Sequence, residues 1–183
     1  PLRRQRQMCI RDRWEMERLI STGGEDFLPI GNELRTNAGI EVEIDGTPIP
    51  IELRGIIDRM FRDEDGGVAL MELKTGKWTQ GKTSDIRGES AFYQLMLEES
   101  GDQKYLPVTH WGWQYPGGGI NNGIGPHWDY EPVKKVSMNA LKKRMERLVR
   151  AHIKEEFPPE PNPVKCSYCE YMPFCPAWTE DNG

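Results

Sequence analysis

The stretch Gly55–Lys74, GIIDRMFRDEDGGVALMELK, decides the fold. Two runs rich in Ile, Met, Val and Leu flank Asp63-Glu64-Asp65-Gly66-Gly67, a strong turn signal, and together they predict a β-hairpin. The first strand carries Asp58 among apolar neighbours. The second carries Glu72 and Lys74, two residues apart and therefore on the same face. Two acids and a lysine gathered at the centre of a sheet are costly unless something compensates the charge. A divalent cation bound by Asp58 and Glu72 would do so, leaving Lys74 to steady charge that develops in a reaction. The bland alternative is an amphipathic hairpin whose carboxylates face water.

Toward the N-terminus, Ile40, Val42 and Ile44 alternate with Glu41, Glu43 and Asp45, the period of a half-buried strand. Asp45-Gly46 is a hairpin turn, and a second strand runs from about Ile49 to Phe61. Pro48 and Pro50 place an edge or bulge at its start. With Val68–Lys74 these strands make an antiparallel meander. Residues 25–38 read as a loop or irregular strand, and Arg13–Ile20 as a helix end stopped by Gly23-Gly24.

Toward the C-terminus, a polar loop from Lys77 leads into a helix over about Asp85–Glu98, on which Glu89 and Tyr93 share a face. Val108–Tyr115 reads as a strand, Pro116–Gly123 as a flexible loop, and His127–Glu131 as a short strand. Ser137 is the expected N-cap of a helix reaching about Glu155, with Met138, Leu141, Met145, Leu148, Val149 and His152 as its buried stripe. Lys142, Lys143, Arg144, Arg147, Arg150 and Lys154 cover much of the rest. That is either a solvated face or one able to follow a phosphate backbone.

Spacing and residue types resemble the PD-(D/E)XK nuclease superfamily, in particular its RecB-like and CRISPR-associated branch. The matching motifs are Gly55-Ile-Ile-Asp58 and Glu72-Leu-Lys74-Thr75-Gly76. The family's Gln-x-x-x-Tyr helix motif corresponds to Glu89-Ser-Ala-Phe-Tyr93, with Glu where the family has Gln. The resemblance implies an α/β (α+β) restriction-endonuclease-like core with a mixed central sheet flanked by helices. It implies Mg²⁺ or Mn²⁺ held by Asp58, Glu72 and the Leu73 carbonyl, with Lys74, Glu89 and Tyr93 completing the catalytic set. It further implies hydrolysis of DNA, as an exonuclease on ends or single strands, in recombination, repair or a phage setting. Helicase or recombination proteins are the expected partners. The competing reading is a non-catalytic DNA-binding or scaffolding module.

Composition sets the frame. The chain has 183 residues, 37% hydrophobic and 29% charged, enough for one domain with a core. A net charge of −5 argues against whole-surface attraction to nucleic acid and leaves room for a local basic stripe. No apolar run long enough to span a bilayer and no signal-peptide pattern is visible, so a cytoplasmic, non-membrane protein is expected.

Cys166-x2-Cys169-x5-Cys175 follows a proline-rich linker, a spacing that suits a soft metal centre better than disulfides. The family resemblance makes it three ligands of a 4Fe–4S cluster, with zinc as the alternative. Arg3–Asp12 matches one reading frame of a sequencing adapter. Residues 1–12 are therefore expected to be foreign, which removes Cys9 as a ligand and takes the net charge from −5 to −8, four arginines and one aspartate being lost. The expected layout is 1–12 artefact, 13–157 a nuclease core whose native start lies upstream, and 158–183 the linker and cysteine segment.

Overall fold

The computed structural model describes residues 28–63, 65–74, 76–115, 127–162 and 166–177. Strand β1 (Gly31–Ile44) pairs antiparallel with β2 (Thr47–Arg62), and β2 pairs antiparallel with β3 (Val68–Leu73). Helix α1 (Thr83–Ser100) then crosses over to β4 (Val108–Tyr115), which lies parallel to β3. Strand β5 (His127–Pro132) returns antiparallel to β4, and helix α2 (Lys135–Lys154) follows. The sheet order is β1-β2-β3-β4-β5. A parallel β3–α1–β4 unit inside an otherwise antiparallel sheet makes it mixed, as the resemblance implied.

The long meander begins earlier than periodicity indicated. Of the two readings of residues 25–38, loop or irregular strand, the strand holds for 31–38, which form the first half of β1 paired with the second half of β2. Pro48 and Pro50 pair only with β1, while β2 meets β3 through Arg59–Arg62. The prolines therefore sit where no ladder on the other side needs their missing N–H.

Helix α1 packs across the sheet because the sequence leaves room for it. A methyl group at Gly55 would lie 2.5 Å from Met96 Cε and 3.2 Å from Tyr93 Cε1. Only a residue without a side chain permits this approach. The core joins Ile57, Met60, Val68 and Leu70 of the sheet to Ala91 and Leu97 of α1. Trp111 of β4 is fully buried and donates its indole N–H to Gln94 of α1 at 3.1 Å. Gly101, at φ +70°, ends the helix in the left-handed conformation expected of a C-cap glycine.

Helix α2 differs from expectation in two respects. It starts at Lys135 with Lys134 as N-cap, so Ser137 lies inside the first turn. Met138, Leu141, Met145 and Val149 form its packed stripe, but Leu148 and His152 are exposed. Arg150 reaches Asp45 at the β1–β2 turn, at 2.6 Å, and there the sheet ends. His152, a half-turn further on, has nothing left to pack against. Among the described residues, no helix is long and apolar enough to cross a membrane.

Candidate active site

The β2–β3 register sets the first relation. Arg59 pairs with Met71, so its continuation places Asp58 beside Glu72 on one face. Asp58 is fixed by a backbone bond: Leu73 N–H donates to its Oδ2 at 2.8 Å. Lys74 follows directly after β3, its own N–H donating to the Gln114 carbonyl of β4 at 2.8 Å. Both sides of the hairpin's open end are therefore anchored by main-chain bonds.

Lys74 Nζ donates to Glu72 Oε1 at 2.8 Å and to Glu89 Oε2 of α1 at 2.6 Å. The structure thus brings Asp58, Glu72, Lys74 and Glu89 into one cluster, with Tyr93 one helical turn beyond Glu89. Leu73, the third expected metal ligand, sits between the two side chains of its strand and touches Asp58 through its N–H. Glu89, the residue that departs from the family's Gln, is the one that reaches Lys74.

Four of these residues are electrostatically perturbed. Burial pushes the Asp58 carboxyl above its ordinary range, with the Leu73 hydrogen bond and Lys74 opposing, and Glu33 and Glu89 adding to the rise. Burial also raises Glu72, against its bond from Lys74, and the charge of Asp58 raises it further. For Lys74, burial acts downward, but the hydrogen bonds it donates to Glu72 and Glu89 outweigh it and hold the ammonium charged. Burial and the surrounding carboxylates push Tyr93 up to about 12, so it stays a neutral phenol able to donate a hydrogen bond.

Paired carboxylates that burial and mutual repulsion disfavour form a donor set suited to a hard cation. Among the described residues, no group of three or more His, Cys, Asp or Glu side chains is gathered to hold a metal. That does not conflict with Mg²⁺, which is commonly held by one or two carboxylates, with waters and substrate phosphate filling the other positions. Cys166, Cys169 and Cys175 are not in disulfides, and they too are not drawn together as a metal-holding group. Cys9 lies outside the described residues.

Sequence reading missed Glu33. Asn32 pairs with Arg59 and Leu34 with Ile57, which leaves Glu33 opposite Asp58. It adopts φ +48°, the left-handed region uncommon for a residue with a side chain. Reading 25–38 only as a loop or irregular strand, without a register, left it unassigned. Extending the β1–β2 register back from Asp45-Gly46 would have placed an acid there.

Comparison with known proteins agrees with this geometry. The family model described as PD-(D/E)XK nuclease superfamily matches residues 2–176, a span that begins within the segment read as adapter sequence. No curated protein matches. Among solved structures, the one titled "Crystal structure of SSO0001" is similar over 91% of this chain and 68% of that one, with 17% sequence identity and a TM-score of 0.50. At that identity the likeness speaks for the fold alone. With the hairpin, its acid-x-lysine strand and the family match in agreement, the chain belongs to the PD-(D/E)XK nuclease superfamily.

Proposed function

We propose that this chain is a metal-dependent deoxyribonuclease whose active site is Asp58, Glu72, Lys74, Glu89 and Tyr93. The observation that carries the reading is Lys74 held between Glu72 and Glu89, on the strand end beside Asp58. Asp58 and Glu72, with the Leu73 carbonyl, would hold Mg²⁺ or Mn²⁺. When bound, such an ion acidifies a water and offsets charge on the scissile phosphate.

The protein's own groups divide the remaining work. The Leu73 N–H orients Asp58 from below. Glu89 keeps Lys74 charged and restricts where its ammonium can swing, so that it can meet a phosphate oxygen or an attacking water. Tyr93 offers a phenol proton from the helix. The family resemblance supports DNA ends or single strands as substrate, exonucleolytic action, a cytoplasmic recombination or repair setting, and helicase or recombination proteins as partners. The layout of a core over 13–157 followed by a separate cysteine segment belongs to the same proposal.

An iron–sulfur cluster, or zinc, at Cys166, Cys169 and Cys175 rests on their spacing and on the resemblance. No catalytic step depends on it. Metal and acid-labile sulfide content after anaerobic purification decide between iron, zinc and neither.

The activity is tested by incubating labelled single-stranded and duplex DNA with the protein in EDTA, Mg²⁺ or Mn²⁺. Cleavage is expected only with a divalent ion. An Asp58→Ala protein that still degrades DNA with Mn²⁺ would remove the assignment, and salt-sensitive binding without turnover in the wild type would favour a scaffolding module.

A further inference from the structure

Helix α2 carries a charge that the rest of the chain does not share. Seven of its twenty residues are Lys or Arg and one, Glu146, is acidic. This gives the helix +6 in a chain of net −5, so the remainder carries −11. The charge is also sorted by face. Met138, Leu141, Met145 and Val149 pack inward, whereas Lys143, Arg147, Arg150 and Lys154 recur at spacings of four, three and four on the opposite side. Lys143, Arg147 and Lys154 are exposed. Arg147 has only a 3.9 Å approach to the exposed Glu160, and Arg150 is engaged by Asp45.

We propose that this outward face of α2 is a nucleic-acid backbone track that holds the substrate strand away from the cut, an inference that rests on the nuclease reading. The eleven steps from Lys143 to Lys154, at about 1.5 Å rise each, make a stripe about 16 Å long. That is about five phosphates of one duplex strand at 3.4 Å axial spacing. Position favours a substrate over an unrelated partner. The first turns of α2 pack through Met138 and Leu141 in the same clusters as Tyr93 and Ala91 of the site-bearing helix, so α2 lies beside that helix and turns its basic stripe outward. It then runs outward to the β1–β2 turn, where Arg150 meets Asp45. The cluster of Asp58, Glu72 and Glu89 repels phosphate unless a cation is present. A separate basic surface supplies the attraction that the acidic site cannot.

The test uses the full chain, a fluorescent 30-nucleotide single strand, and EDTA to prevent cleavage. Affinity is measured across a salt series. The triple variant Lys143→Gln, Arg147→Gln, Lys154→Gln should bind about tenfold more weakly near 0.1 M salt and lose about two to three from the log–log salt slope. Glu146→Gln, which removes the helix's one acid, should bind more tightly, a gain that misfolding cannot mimic. Cleavage of a long strand below saturation, with Mn²⁺, should fall in the triple variant in step with its affinity. If the wild type cleaves DNA but the triple variant keeps its affinity and slope, the track is refuted and the nuclease reading stands. A wild type that neither binds nor cleaves DNA removes both. Binding to phosphatidylserine vesicles that depends on the three residues, with DNA affinity unchanged, would assign the face to a membrane and also overturn the inference.

Discussion

Two aspartates five residues apart, Asp58 and Asp63, sit on the same arm of the hairpin and are put to opposite uses. Asp63 receives hydrogen bonds from Gly67 N–H at 2.6 Å, from Asp65 N–H at 3.1 Å and from the Thr109 hydroxyl, and His110 Nδ1 lies 3.3 Å away. The Thr109 bond chiefly holds its carboxyl below the usual range. Asp58 receives one backbone bond, and burial pushes it the other way. A carboxylate satisfied by donors from its own turn and from β4 builds structure. One left short of donors, beside a second acid, is prepared to take a cation.

This contrast breaks most sharply on activity. Asp58→Asn should lower DNA cleavage by about 10³-fold or more. Lys74→Met should lower it by about 10²–10³-fold, as loss of a single charge-stabilising donor does elsewhere. Asp63→Asn, assayed under the same conditions, should retain most activity. If Asp63→Asn were as inactive as Asp58→Asn, the division between the two carboxylates would fail.

Thermal melting without divalent ions should reverse the ranking. Asp63→Ala removes the acceptor of the Gly67 and Asp65 N–H groups and leaves Thr109 only its longer bond to the Val68 carbonyl, and should cost about 2 kcal/mol, roughly 4–8 °C in Tm for a chain of this size. Asp58→Asn should melt at or above the wild type, since it removes a charge that burial disfavours while keeping an oxygen for the Leu73 N–H. A comparable cost is expected of Gly55→Ala. The new methyl meets the flexible end of Met96 before it meets Tyr93, so an overpacking cost of about 1–3 kcal/mol should accompany a partial loss of activity as α1 shifts.

The pH dependence sharpens the same comparison. Asp63 has a depressed folded value, so its contribution is present above the ordinary aspartate range near pH 4 and is lost as pH falls through the folded value. Asp58 and Glu72 have raised folded values. They cost the metal-free fold stability at neutral pH, and that cost disappears as pH drops through those values. The Tm advantage of Asp58→Asn over wild type should therefore shrink on acidification, while the deficit of Asp63→Asn also shrinks, but at lower pH.

Much of this was legible in the sequence because the hairpin is local. Gly55, Asp58, Glu72 and Lys74 lie within twenty residues, and period-two alternation puts Glu72 and Lys74 on one face, while the β2–β3 register sets Asp58 beside Glu72. Glu89 and Tyr93 were readable from their four-residue spacing. What could not be read depended on distant pairing. Residues 31–38 lack alternation, and only their pairing with β2 makes them a strand and sets Glu33 against Asp58. Asp63 looked like a plain turn residue because Thr109 and His110 arrive from β4, over forty residues away. The end of α2's buried stripe was likewise set by where the sheet stops, which no helical period encodes. The cysteine spacing was plain in the sequence, yet a ligand set requires convergence in space that spacing alone does not supply.

The most direct test is Mn²⁺ binding to the purified full chain, followed by electron paramagnetic resonance of the free ion, in wild type, Asp58→Asn and Glu72→Gln. Shared coordination predicts one ion bound by the wild type and a large loss of affinity in both variants. Undiminished Mn²⁺ binding by either variant would contradict it.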